Sequence, residues 1–84
     1  MTSYSPSQVA LVRCASYDPD EVFAAVGRGL ERLGGVSSLC LPGERILLKP
    51  NVLLGTPPSH AVTTHPSVMR AVARHLQAAG ASLT

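Results

Sequence analysis

The segment that most constrains the fold runs from Ile46 to His65. It begins with the apolar run Ile-Leu-Leu, stops at Lys49-Pro50-Asn51, and continues through a long loop rich in Pro, Gly and Thr to a helix that starts at Pro66. A strand buried on both faces is apolar throughout, and open α/β sheets bind ligands beyond the carboxyl ends of their strands. The segment therefore predicts a ligand edge, where a buried strand ends and a helix begins.

The residues before this segment predict a first strand and a first helix. Residues 8–14 are mostly apolar and of strand length. Asp18-Pro19-Asp20-Glu21 is typical of a helix start, because Asp18 can cap the helix, Pro19 suits its first position and Glu21 completes a capping box. Gly34-Gly35 predicts the end of that helix.

A second helix and the start of a third strand follow the long loop. The helix begins at Pro66 and ends at Gly80, and residues 81–84 are strand-like. Strands joined by a helical crossover lie parallel. We therefore expect the α/β class, as a βαβα(β) fragment with parallel strands that is part of a larger three-layer α/β domain. Residues 1–7 are expected to be a disordered tail, and residues 8–84 the N-terminal portion of a single α/β domain, truncated at the third strand.

The apolar residues of both helices recur at helical spacing. They predict one buried stripe on each helix, made of Val22, Phe23, Val26, Leu30 and Leu33 in the first, and Val68, Met69, Val72, Ala73, Leu76 and Ala79 in the second. Arg70, Arg74, His75 and Gln77 are expected on the solvated face. Gly27 and Gly29 lie inside the first helix, where close packing on a neighbouring element explains them better than a dinucleotide-binding fingerprint.

Charge and cysteine content exclude several function classes. The 84 residues carry a formal net charge of +2, and their arginines form no basic stripe, which argues against nucleic acid and anionic membranes as partners. Cys14 and Cys40 both stand in apolar surroundings and are expected to be buried, and no Cys-x-x-Cys pair encodes a zinc or cluster site. Two lone thiols and the lack of a signal peptide or an apolar span predict a cytoplasmic location.

Two polar residues at the end of the second predicted strand are candidate ligand contacts. Lys49 is the only lysine of the chain. Its ammonium is either a contact to an anion or a solvated charge at a strand end. Asn51 is either a ligand contact or a turn residue, since asparagine bonds its own backbone in turns.

The other candidates precede the second helix. The hydroxyls of Thr63 and Thr64 can satisfy the free amides of its first turn, although those amides also attract anions. Proline disfavours helical backbone at the preceding residue, so His65 is expected to be the N-cap. Histidine is not a preferred cap. It is therefore either a surface residue or a group with a role in proton transfer, metal binding or ligand hydrogen bonding, which makes it the candidate catalytic residue.

Four segments resemble the start of a known family. Val9-Ala-Leu-Val-Arg, Tyr17-Asp-Pro-Asp-Glu, Pro42 to Asn51 and Ala61-Val-Thr-Thr-His-Pro are similar to the family of the domain of unknown function 362. The resemblance implies an α/β protein, and many family members carry a ferredoxin-like segment that binds [4Fe-4S] clusters. No cluster ligand can be assigned to this chain, so the resemblance implies no cofactor within it, only clusters in longer relatives.

These observations give one leading functional hypothesis and leave alternatives open. The chain is expected to be the N-terminal piece of an iron–sulfur-linked, redox-associated protein with an anion or small-molecule site at the Lys49–His65 edge. Its expected partner is the remainder of the α/β domain or a second copy. The alternatives are a non-catalytic binding module and a piece without independent activity. Whether the protein is an enzyme stays open.

Overall fold

A computed structural model describes residues 7–51 and 64–84 of the protein. Within these ranges the elements are helix α1 (Pro19–Arg32), a 3₁₀ turn (Val36–Ser38), strand β1 (Arg45–Ile46), helix α2 (Pro66–Ala78) and strand β2 (Ser82–Leu83). Strands β1 and β2 pair in parallel, with Arg45 opposite Ser82 and Ile46 opposite Leu83. The predicted α/β class with parallel strands is therefore confirmed for this part of the chain.

Helix α1 begins at the predicted cap. Asp18 Oδ2 accepts a hydrogen bond from the backbone N–H of Glu21 at 3.1 Å. The carboxylate of Glu21 does not bond the backbone of Asp18 directly. It accepts the hydroxyl hydrogen of Ser16, whose Oγ in turn accepts the backbone N–H of Asp18 at 3.1 Å. The capping box therefore closes through Ser16, and it ties the exit of the N-terminal segment to the helix.

Both helices end in the same hydrogen-bond pattern. At the end of α1, the N–H of Gly35 bonds the carbonyl of Leu30 at 2.7 Å, and the N–H of Gly34 bonds Glu31 at 3.2 Å. At the end of α2, Ala81 bonds Leu76 at 3.1 Å and Gly80 bonds Gln77 at 2.9 Å. This is the Schellman motif, in which a left-handed glycine ends the helix.

Gly80 also brings the starts of the two strands together. Its φ is +94°, and a Cβ placed there would lie 3.1 Å from Pro42 Cα. The carbonyl of Gly80 accepts the N–H of Gly43 at 2.8 Å. The end of α2 is thereby held against the turn before β1, at a distance that excludes a side chain.

The parallel pairing extends beyond the two-residue strands. Ser82 N–H bonds the carbonyl of Glu44 at 2.8 Å, Thr84 N–H bonds Ile46 at 3.0 Å, and Leu48 N–H bonds Thr84 at 3.4 Å. One face of this pairing packs on α2 around Cys40, Leu76 and Ala81, with Val36, Ile46, Leu48, Val72, Ala79 and Leu83 against them. Leu47 is 70% exposed, so the described structure covers one face of the sheet.

The two helices pack closely at Gly27. The ring of His75 stacks on Phe23 with centroids 4.0 Å apart and planes 3° from parallel. Its Nε2 lies 2.8 Å from the carbonyl oxygen of Phe23, and the Arg74 guanidinium lies 4.0 Å from the Phe23 ring centre. A Cβ on Gly27 would meet His75 Cε1 at 3.0 Å, which confirms close packing there. Placing His75 on the solvated face was wrong, because its flat ring packs on a second aromatic ring.

The first predicted strand is not formed in the structure. Residues 8–14 belong to no strand, and Val9 and Leu11 are 90% and 94% exposed. A strand needs a hydrogen-bonded neighbour as well as a suitable sequence, and the sheet of the described residues consists of β1 and β2 alone. Cys14 is consequently exposed, which corrects its expected burial, whereas Cys40 is buried as predicted.

Several predictions concern residues that the structure does not describe. The tail residues 1–6 lie outside the described ranges, as do residues 52–63 of the long loop. The candidate Thr63 belongs to this second group.

Candidate functional site

The imidazole of His65 caps helix α2. Its backbone is extended, with φ −63° and ψ 140°, and its Nδ1 accepts the backbone N–H of Ser67 at 3.1 Å. The Oγ of Ser67 lies 2.8 Å from the same nitrogen. The predicted N-cap position of His65 is therefore confirmed. Histidine is not a poor cap here, because the lone pair of Nδ1 replaces the oxygen of the usual capping side chains.

The ring of Tyr17 stacks on the face of the His65 imidazole. Tyr17 and His65 have centroids 3.9 Å apart and planes 6° from parallel. Tyr17 belongs to the segment that leads into α1, so the stack joins that segment to the first turn of α2. Neither Tyr17 nor Ser67 was a predicted site residue. A capping bond from His65 to Ser67 follows from the predicted N-cap position, but a contact between residues 17 and 65 depends on how the helices pack.

Three other predicted site residues lie at exposed positions after β1 and before α2. Lys49, Asn51 and Thr64 are all exposed, and His65 is half-buried. Helix α2 packs on the sheet through Val72 and Leu76, and its C-terminal end lies beside the start of β1. Its N-terminal end therefore lies on the side toward which the strands run. Open α/β sheets bind ligands on this side of the strands.

The residues described by the structure do not fit a metal or an iron–sulfur cluster. Across residues 7–51 and 64–84, no group of three or more His, Cys, Asp or Glu side chains lies close enough to hold a metal ion. Cys14 is exposed and donates to the carbonyl of Ser16, while Cys40 is buried in the small core. Clusters are held by sets of cysteine thiolates, and these two thiols do not form such a set.

An apolar groove of about 610 Å³ lies between the N-terminal segment and α1. It reaches the first turn of α2 at Val68. The lining residues from the N-terminal segment are Ala10, Leu11, Val12, Cys14, Ala15, Ser16 and Tyr17, and those from α1 are Val22, Ala25, Val26 and Gly29. None of the described residues that line it carries a charge, so the groove suits an apolar occupant better than an anion.

Comparison with known proteins identifies the family. Residues 46–84 match the model of the family described as domain of unknown function (DUF362). This part of the chain belongs to that family. The matched range begins at the second residue of β1 and contains α2, β2 and every predicted site residue. The family resemblance of the sequence is thus confirmed, and the family description assigns no activity.

A longer protein from Synechocystis sp. is also similar to this chain. The thylakoid-associated protein sll1697 of Synechocystis sp. is 43% identical over 72 residues, which is 86% of this chain. The chain spans 22% of the length of that relative. No solved structure matches the chain. Neither described helix combines the length and the apolar character needed to cross a bilayer.

Proposed function

We propose that the chain forms the N-terminal part of a larger three-layer α/β protein and contributes a binding edge for an anion or a small polar molecule. The edge consists of Lys49, Asn51, Thr63, Thr64 and His65. The observation that carries the proposal is the capped start of α2, where His65 is held by Ser67 and Tyr17 on the side toward which the strands run.

The physical support comes from charge at that edge. The dipole of α2 favours a negative group near the N-terminus of the helix. The first-turn amides themselves are bonded to His65, since Ser67 N–H bonds Nδ1 and Val68 N–H bonds the backbone carbonyl, so the donors to a ligand must be side chains. Lys49 is exposed and lies shortly after the end of β1, where its positive charge would add to the attraction for an anion. A hydrogen bond to a charged group contributes about 1.5–3 kcal/mol, which corresponds to a tenfold change in affinity or more.

The capping role of His65 determines how the site must be tested. Replacing His65 with alanine removes the acceptor for Ser67 N–H and should cost about 0.5–2 kcal/mol of stability, so a loss of binding would be ambiguous. His65→Asn supplies a preferred cap without the imidazole. We expect His65→Asn to keep the capping bond and to lose the stack on Tyr17, so it should destabilise the protein less than His65→Ala and still weaken binding of inorganic phosphate.

Backbone amide NMR with inorganic phosphate as the probe measures this binding. Phosphate should give saturable shifts of the Ser67 and Val68 amides in the wild type. The dissociation constant should rise about tenfold in Lys49→Ala and less in Lys49→Arg, which keeps the charge. Arg70→Ala removes an exposed charge from the face of α2 and is the matched control. Unsaturable shifts, or equal losses in Lys49→Ala and Arg70→Ala, would refute the proposed edge.

We further propose that the apolar groove and the exposed residues Val9 and Leu11 pack against the remainder of the α/β domain. The length of the relative provides that occupant, since the chain spans 22% of it. Residues 8–14 have the composition of a buried strand, and a sheet from the remaining polypeptide would supply the hydrogen-bonded neighbour that they lack in the described structure.

Leu11→Lys tests whether residues 8–14 pack against the remainder of the domain or stay exposed to solvent. Leu11 is 94% exposed, so the substitution should leave the unfolding free energy of the 84-residue chain nearly unchanged. In a polypeptide that includes the remainder, a lysine there would be buried and should destabilise the protein by several kcal/mol. If the longer protein were equally stable with leucine and with lysine at position 11, the proposed packing of the groove against the remainder of the domain would be contradicted. A concentration-dependent dimer of the 84-residue chain, lost in Leu11→Lys, would make a second copy the occupant instead.

We also propose a redox association and a cellular location. The family resemblance favours an iron–sulfur-linked redox role, with clusters held by residues outside this chain. Electron paramagnetic resonance of the reduced full-length protein tests it, and the absence of a cluster signal would favour the non-catalytic binding module instead.

We propose a cytoplasmic location. The relative is named as thylakoid-associated, so recovery of this protein in a washed membrane fraction would overturn that location.

A further inference from the structure

The hydrogen bonds of His65 identify which ring nitrogen carries its proton. A backbone amide can only donate, and the N–H of Ser67 lies 3.1 Å from His65 Nδ1. Nδ1 must therefore be the acceptor, and the hydroxyl of Ser67 at 2.8 Å then donates to the same nitrogen. A neutral imidazole has one ring hydrogen. We infer that His65 is held as the tautomer with its hydrogen on Nε2.

Two surrounding residues stabilise this state. Ser67 is 8% exposed, so water competes poorly for the hydrogen bonds at Nδ1. The ring of Tyr17, 3.9 Å away and 6° from parallel, prevents the imidazole from rotating out of the capping position. Tyr17 is therefore a positioning residue. It acts on the orientation of the His65 ring.

The tautomer narrows the ligand chemistry of the proposed edge, and this step rests on the proposed function. Binding a metal ion and accepting a proton from a ligand both need a lone pair on Nε2. That lone pair is absent while Nε2 carries hydrogen. Of the three roles open to His65, a donated hydrogen bond is compatible with the cap. The group it contacts is then an acceptor oxygen of a carboxylate, a carbonyl or a phosphate.

Nitrogen NMR of the uniformly ¹⁵N-labelled protein tests the tautomer without any ligand. At about pH 8, where histidine side chains in water are neutral, His65 should show Nδ1 as an unprotonated ring nitrogen and Nε2 as a protonated one. His75 is the internal control. Its Nε2 lies 2.8 Å from the Phe23 carbonyl, which can only accept, so it must show the same pattern for an independent reason. His65→Asn assigns the signals of His65.

Two Tyr17 variants test the positioning role. Tyr17→Phe keeps the stacked ring and should preserve the tautomer of His65. Tyr17→Ala removes the ring and should give averaged nitrogen shifts that report exchange between both tautomers. A protonated Nδ1 in the wild type would overturn the inference, as would a Tyr17→Ala spectrum identical to the wild type. Neither result involves phosphate binding, so a failure here is distinct from a failure of the proposed edge.

Discussion

Replacing Gly27 with alanine tests the close packing of the helices. In an exposed helix interior this change stabilises by about 0.5–1 kcal/mol, because glycine loses more backbone freedom on folding. At Gly27 the new Cβ would lie 3.0 Å from Cε1 and 3.3 Å from Nε2 of His75, so the imidazole must move. His75 would then lose its stack on Phe23 and its hydrogen bond, each contributing about 0.5–1.5 kcal/mol. We expect a net loss of about 1 kcal/mol.

Gly29→Ala is the matched control for this prediction. Gly29 lies in the same helix, but a Cβ there would be 3.5 Å from Val12 Cγ2, which is an ordinary contact. Gly29→Ala should therefore stabilise the protein by about 0.5–1 kcal/mol. The unfolding free energies of the two variants should differ by about 1.5–2 kcal/mol in urea denaturation followed by circular dichroism.

A double-mutant cycle isolates the cause. In a His75→Ala background the obstructing ring is gone, and Gly27→Ala should stabilise as much as Gly29→Ala does. Stabilisation of the wild-type protein by the full propensity difference in Gly27→Ala would contradict the clash with His75. So would a Gly27→Ala change that remains destabilising when His75 is absent, because its cost would then come from another contact.

Three further predictions follow from local contacts. Asp18→Ala should lower the unfolding free energy by about 0.5–2 kcal/mol and Asp18→Asn by much less, since asparagine also caps, as measured by urea denaturation. Gly80→Ala should cost more than Gly43→Ala in thermal melts: both glycines have positive φ, but a Cβ at Gly80 meets Pro42 at 3.1 Å and one at Gly43 meets nothing within 4 Å. A thiol reagent should label exposed Cys14 rapidly and buried Cys40 only on unfolding, and equal rates would contradict their burial.

The helix ends could be predicted from sequence because their causes are local. Asp18 caps a backbone amide three residues away, and each terminal glycine bonds a carbonyl within the preceding turn. Proline before α2 likewise restricts the residue next to it, which is why His65 was expected at the N-cap. Such contacts involve residues close in sequence, so no knowledge of the packing is needed to infer them.

The errors concern residues whose surroundings come from distant parts of the chain. The apolar run 8–14 has strand composition, but its strand state depends on a neighbour, and Val9 and Leu11 are exposed without one. Helical periodicity placed His75 on the solvated face, whereas Phe23, 52 residues earlier, accepts its hydrogen bond and stacks on its ring. Tyr17 was missed for the same reason.

The structure changes what a histidine at position 65 signifies. A residue there must provide an acceptor for Ser67 N–H and a flat ring against Tyr17. Asparagine satisfies the first requirement and phenylalanine the second, but histidine satisfies both. Its identity is therefore explained by the fold, and its weakness as a general helix cap no longer argues for a functional role. Neither structural role uses Nε2. Evidence for a ligand contact must come from Nε2. The decisive comparison is His65→Asn, which keeps a capping side chain and lacks that nitrogen.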